Sequence, residues 1–167
     1  GSILAQVQNQ FGQVCPDLDS PVLLKQLAGL IIDARQQKLL HAYHDISDGG
    51  VFTALCEMAF ASHCGLEICV DHCGENDLSS LFNEELGVLV QVSNEDRALF
   101  ADLINKYDLT HCAQRIAIVN ASDCIRVMRN LEPIAAWSWQ TLFDAWWSVT
   151  HAMQSARDNP DCADAEM

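Results

Sequence analysis

The residues best equipped for chemistry are His44-Asp45-Ile46-Ser47-Asp48-Gly49-Gly50, which follow a short apolar run and precede residues at helical spacing. In extended backbone, side chains two apart point the same way, so Asp45 and Ser47 share one side. A carboxylate and a hydroxyl facing together can hold Mg2+ and a phosphate oxygen. Backbone N–H groups at the start of the following helix favour an anion, and paired glycines let one approach the main chain closely. A plainer reading competes with this one: Ser47 or Asp48 caps the helix and the glycines make a turn. The stretch lacks both the spaced Gly-Lys-Ser/Thr of a P-loop and the dinucleotide fingerprint.

A second acidic feature is Leu81-Phe82-Asn83-Glu84-Glu85-Leu86-Gly87. Glu84 and Glu85 could do acid–base or metal work, or form the solvated end of a helix. His63, Cys64, Cys69, His72 and Cys73 invite a zinc reading. Structural zinc usually takes its cysteines as pairs set at a tight turn. Here the gaps are Cys-x4-Cys and Cys-x3-Cys across a segment that reads as a strand, with Cys69 alternating like a buried residue. The eight cysteines are therefore expected to be scattered, reduced core thiols. No histidine stands at a recognisable spacing from a serine or cysteine nucleophile, so no hydrolase triad can be argued.

The elements that must position these residues can be read from periodicity. Residues 3–12 read as a short helical segment, and Cys15 to Asp19 as a linker. Ser20-Pro21 starts a helix predicted to run to about Lys38. Leu40 to Asp45 reads as a strand, followed by a helix ending near Cys64-Gly65, with Gly65 in the left-handed terminal position. Strands are expected at 66–70 and 87–92, with a short helix around Leu78 to Phe82 between them. Ser93 to Asp96 forms a capping box before a further helix. Residues 112–119 and 124–128 read as strands of a hairpin around Asn120 to Asp123. Ser138 opens a long helix with Leu142, Phe143, Trp146, Thr150 and Met153 inward, stopped by Asp158-Asn159-Pro160. Helices mixed with strands and one hairpin indicate an α+β fold, a mixed β-sheet packed with α-helices.

Composition bounds the function. The 167 residues are half hydrophobic and fit one domain with a helical extension. With 23 acids against 9 bases the net charge is −14, which disfavours nucleic acid as a partner. It leaves room for a small-molecule nucleotide held through a cation. No apolar run reaches about 18 residues, so no membrane partner is expected, and no secretory signal is recognisable. Trp146 and Trp147 lie about 100° apart on a helix, so one of them should meet another part of a larger assembly. Left bare, such a surface would drive self-association.

Together, Tyr43 to Gly50, Glu57 to Ala61 with His63-Cys64-Gly65, Leu81 to Gly87, and Arg157-Asp158-Asn159-Pro160 with Cys162-Ala163 and Glu166 resemble the long single-chain bacterial form of the phosphoribosylformylglycinamidine synthase family. The resemblance covers essentially the whole chain. It implies an ATP-dependent carbon–nitrogen ligase of the glutamine amidotransferase class, acting in cytoplasmic purine biosynthesis. Such an enzyme makes formylglycinamidine ribonucleotide from formylglycinamide ribonucleotide, glutamine and ATP. The matching part is the C-terminal aminoimidazole-ribonucleotide-synthetase-like subdomain of the second synthase copy. Asp45 would then ligate Mg2+ and Ser47 would contact ATP or ADP, more in keeping with a structural than a catalytic nucleotide. On this resemblance residues 1–19 are a connecting segment, 20–157 the subdomain, and 158–167 a linker toward a glutaminase domain. The remaining synthase and glutaminase domains would be its partners, and the segment alone would be inactive. The competing class is a scaffold or interaction domain with no ligand of its own.

The cysteine spacing carries a direct expectation. Elemental analysis after dialysis should find far less than one zinc per chain, and a stoichiometric zinc would overturn the reading of the thiols.

Overall fold

The computed structural model describes residues 2–11, 15–18, 20–71 and 76–165. In chain order the elements are α1 (Ile3–Val7), α2 (Pro21–Gln36), β1 (Leu40–Asp45), α3 (Gly50–Ser62), β2 (Gly65–Cys69), α4 (Asp77–Phe82) and β3 (Val88–Val92). They continue with α5 (Arg97–Lys106), β4 (Ala117–Asn120), β5 (Cys124–Arg129), β6 (Glu132–Ser138), α6 (Trp139–Arg157) and α7 (Pro160–Ala165). The chain forms two compact units, residues 1–58 with 70–116 and residues 59–69 with 117–167.

The first unit is organised by α2 and α5. Ser20 caps α2 by accepting from the Val22 N–H at 3.3 Å, with Pro21 in the first turn where its missing N–H costs nothing. Leu30, Ala34, Leu39, Leu103 and Leu109 form its core, flanked by Leu23, Leu27, Phe100 and Ile104. At the rim Lys106 Nζ and the Tyr107 hydroxyl donate to one Asp33 oxygen at 2.6 and 2.7 Å. Lys106, and then Tyr107, hold that carboxyl below the usual carboxylate range. Ahead of α5 only half of the expected box forms: the Asp96 N–H donates to Ser93 Oγ at 3.0 Å, but the Asp96 carboxylate accepts from the Ser93 hydroxyl at 2.8 Å and not from its N–H, and α5 starts later, at Arg97, with no side-chain cap. The unit's strands β1 and β3 pair antiparallel, with Tyr43 opposite Val90 and Asp45 opposite Val88. The Ile46 N–H continues that ladder to the Gly87 carbonyl at 2.9 Å.

The second unit holds a four-stranded mixed sheet in the order β4-β2-β5-β6, with β2 and β5 parallel. Ile68, Ile125 and Val127 are buried in it. The mixed sheet is as expected, but the hairpin lies elsewhere. Strands β4 and β5 pair on opposite sides of β2 and not with each other. Residues 120–123 cross the end of β2, where a Cβ on Gly65 would come within 2.3 Å of the Ser122 carbonyl oxygen. Gly65 is therefore a close-approach glycine, and the left-handed position after α3 falls to His63 at φ 48°. The true hairpin joins β5 to β6 through Asn130 and Leu131, both with positive φ, as a two-residue turn matched to strand twist requires. Asn-Leu is a weak signal for that turn, so β6 escaped the sequence reading, and residues 112–116 are not strand.

Helix α6 is rotated from its expected orientation. Trp139 is 7% exposed, and its indole N–H donates to the Ala59 carbonyl at 3.2 Å. That anchor turns Phe143, Trp147 and His151 inward, four residues apart, and leaves Trp146 45% and Met153 66% exposed. The helix stops at Arg157 as expected; beyond it the short α7 meets α6 through His151 and Asp164 at 2.9 Å. The thiols differ from expectation too. Cys56 is buried, and burial pushes its thiol up to about 12, whereas Cys15, Cys69, Cys112 and Cys162 are exposed. All are free. Of the zinc candidates, the His63 ring stacks on Trp139 at 4.1 Å and Cys64 Sγ sits 3.1 Å from Ser62 Oγ. His72 and Cys73 lie outside the described residues, as do Asp19 and Glu166.

The start of α3 is fixed from a distance. Glu84 Oε1 accepts from the Gly49 N–H at 2.8 Å and from the Ile3 N–H at 2.9 Å. Gly49 and Gly50 both have positive φ, and a Cβ on Gly50 would meet the Asn83 carbonyl oxygen at 2.7 Å. Backbone thus packs on backbone where no side chain fits. Gly50→Ala should destabilise by about 2–4 kcal/mol, from the left-handed strain plus the steric conflict. Glu84→Ala should cost about 2 kcal/mol and Glu84→Gln roughly half that, since the amide oxygen still accepts but carries no charge. Urea denaturation of the three variants measures both effects.

Candidate functional site

Strand β1 alternates cleanly. His44 and Ile46 are partly buried, whereas Tyr43, Asp45 and Ser47 are exposed. Asp45, at the end of β1, and Ser47, two residues beyond it, are thus both accessible. The Ser47 carbonyl accepts from the Gly50 N–H at 2.9 Å, which closes the turn into α3.

Two neighbours hold Asp45. The Tyr43 hydroxyl, two residues earlier on the same face, donates to Asp45 Oδ1 at 2.5 Å. That carboxylate pushes the Tyr43 phenol up to about 12, so it remains a donor throughout the physiological range. On the other face His44 Nδ1 lies 2.6 Å from the Asp45 carbonyl oxygen. A carbonyl only accepts, so Nδ1 carries the hydrogen. The other ring nitrogen of His44 is 3.1 Å from Glu57 Oε2 on α3. The imidazole thus ties the last residue of β1 to the helix that follows it.

The glycines play a different part from the one first suggested for them. The Gly49 N–H, which could have met a phosphate, is already taken by the Glu84 carboxylate. The space above Gly50 is filled by the Phe82–Asn83 main chain. Of the acidic pair, Glu84 is neither a solvated end nor an acid–base group but a fixed acceptor, while Glu85 is exposed. What remains for a ligand is the Asp45 carboxylate and the Ser47 hydroxyl.

The exposed Asp45 carboxylate fits Mg2+ as a single protein ligand. Among the described residues no group of three or more His, Cys, Asp or Glu side chains could hold a metal ion. Mg2+ does not need one, because it keeps several waters and takes one or two carboxylates plus phosphate oxygens. Sequence reasoning passed over Tyr43, although the alternation that paired Asp45 with Ser47 also places Tyr43 beside them. It also missed Glu84 as the partner of Gly49, since nothing local links residues 35 apart.

Comparison with known proteins places these features in a family. Residues 1–130 match the family model for the C-terminal domain of AIR synthase related proteins. Over 169 residues the chain is 38% identical to phosphoribosylformylglycinamidine synthase of Schizosaccharomyces pombe, covering 100% of this chain and 13% of that protein. Among solved structures, Thermotoga maritima PurL complexed with ATP superimposes with a TM-score of 0.68 at 19% identity, over 75% of this chain and 22% of the other. A chain of the HypE–HypF complex gives a TM-score of 0.55 at 18% identity, over 81% of this chain and 46% of the other. The fold is shared with both, and the chain belongs to the family of AIR synthase related protein C-terminal domains.

Proposed function

We propose that this chain serves as one module of a phosphoribosylformylglycinamidine synthase in cytoplasmic purine biosynthesis. The observation that carries this reading is the 38% identity to such a synthase, sustained over the full length of the chain. The chain spans 13% of that relative, so the complete ligase reaction would require the other synthase and glutaminase domains. Residues 158–167 would lead toward the latter. Among the described residues no helix is long and apolar enough to cross a membrane, in keeping with a biosynthetic role.

Within that assembly Asp45 would ligate Mg2+ and Ser47 would contact the phosphates of ATP or ADP. The exposure of both, at and just beyond the end of β1, supports the assignment, as do Thermotoga maritima PurL structures solved with ATP, ADP and AMPPCP. When bound, the ion would neutralise phosphate charge. Asp45 would supply the protein carboxylate that binds it, and Ser47 a hydroxyl able to donate to a phosphate oxygen.

Calorimetric titration of the full-length protein with Mg-ADP tests the site. Asp45→Ala should weaken binding at least tenfold and Ser47→Ala less, because a direct metal ligand outweighs one neutral hydrogen bond. Binding that is unaffected by Asp45→Ala would favour the scaffold reading of this module. The isolated chain should also self-associate. Trp146, Val149 and Met153 are exposed along one stripe of α6, and burying such surface is favourable by about 25 cal/mol per Å2. Sedimentation over a concentration series should show dimers or larger species, reduced in Val149→Glu; a strict monomer at millimolar protein would contradict this.

A further inference from the structure

The contact between Tyr43 and Asp45 bears on which cation the site accepts. An ionised carboxylate offers two oxygens, and a cation can use one or both. Mg2+ demands near-ideal octahedral geometry at short distances and takes carboxylates through a single oxygen, whereas Ca2+ tolerates higher coordination and accepts both oxygens of one carboxylate. In this structure the choice is restricted in advance. The Tyr43 hydroxyl sits 2.5 Å from Asp45 Oδ1, on the same exposed face of β1, and its hydrogen points at that oxygen.

The contact is held from both sides. The strand fixes the separation of residues 43 and 45, each paired across the ladder, to Val90 and Val88 respectively. His44 between them is bonded to the Asp45 carbonyl and to Glu57, so the main chain cannot turn to present the carboxylate differently. The Tyr43 ring is itself 46% exposed, so its hydroxyl is not needed to satisfy a buried group. A surface tyrosine that spends its hydroxyl on a candidate metal ligand acts on that ligand's geometry.

We propose that Tyr43 is a positioning residue that sets cation selectivity: by taking one lone pair of Oδ1 it disfavours chelation through both oxygens of Asp45 and so favours Mg2+ over Ca2+. This rests on the reading of Asp45 as the metal ligand. It adds that removing the hydroxyl bonded to Asp45 changes the metal preference. Without Tyr43's hydrogen bond, chelation through both carboxylate oxygens meets no competing donor at Oδ1 and the orientation of the group is less restricted. The Mg2+ complex then loses its preorganised ligand while the Ca2+ complex gains a donor atom.

The test is calorimetric titration of the full-length protein with ADP, once in excess Mg2+ and once in excess Ca2+, for the wild type, Tyr43→Phe, Tyr43→Leu and Asp45→Ala. Tyr43→Phe should move the ratio of the two affinities about tenfold toward calcium, the usual size of an outer-shell effect on a metal site. Tyr43→Leu should do the same, which separates the missing hydroxyl from any change in ring packing. Thermal melts of both variants should stay close to wild type, because neither removes a buried contact. If Asp45→Ala abolishes nucleotide binding while both Tyr43 variants keep the wild-type ratio within twofold, the role of Tyr43 is wrong and the site stands. If Asp45→Ala leaves Mg-ADP binding intact, the site itself is misplaced and the selectivity argument falls with it.

Discussion

One carboxylate oxygen organises the region around the candidate site. Glu84 Oε1 receives two backbone N–H groups, from Gly49 at the turn into α3 and from Ile3 in the first turn of α1. An amide hydrogen bonded to a charged acceptor contributes about 1.5–3 kcal/mol, roughly twice a neutral pair. The helix N-terminus adds to this, because its partial positive charge favours a carboxylate placed there. The bond can form only if residues 82–84 lie against the turn. That in turn requires Gly50, because any side chain there would strike the Asn83 carbonyl oxygen. The two acidic, glycine-containing motifs of this sequence are therefore halves of one interaction, 35 residues apart.

Fixing that turn fixes the strand before it. With Gly49 and Gly50 immobilised, and with the Ile46 N–H bonded to the Gly87 carbonyl, β1 has no freedom to slip by one residue against β3. A one-residue slip would carry Tyr43, Asp45 and Ser47 to the covered face and bring His44 and Ile46 outward. The His44 bridge to Glu57 opposes the same slip from the other side of the strand. Exposure of the Asp45 carboxylate is thus a consequence of register, and register depends on contacts made by residues with no direct part in binding. A change at Glu84 or Gly50 would reach the site through geometry alone.

Much of this was legible in the sequence, for reasons that are local. Ser20-Pro21 announces α2 because a hydroxyl cap and a fixed φ act within one turn. Leu40 to Asp45 reads as a strand ended by the glycines that follow, and its exposure does alternate residue by residue. The failures share a different cause. The topology of β4 and β5 is decided by β2, some fifty residues earlier in the chain, and the Asn120 turn carries no mark of the strand it crosses. The rotation of α6 is decided by the bond from Trp139 to Ala59, so a stripe of apolar residues was insufficient to say which side faces inward. The resemblance carried by Leu81 to Gly87 was recognisable, but the work of Glu84 was not, since its partner lies in another motif.

The charge of the chain gives these local arguments a common limit. With 23 acids and 9 bases, the net field of the chain opposes the approach of a polyphosphate within about a Debye length. The anion-favouring amide of Gly49 is already occupied by the chain's own carboxylate, so α3 offers little relief there. Among the described residues no cation neighbours Asp45 within ion-pair distance. On the reading of Asp45 as a metal ligand, a divalent ion on the nucleotide would lower its negative charge and offer the carboxylate a cation to meet. One carboxylate is enough to turn repulsion into coordination once a divalent ion is present, but too few to retain the ion without the phosphates. Metal and nucleotide would therefore have to arrive together, and any added affinity would have to come from groups outside this module.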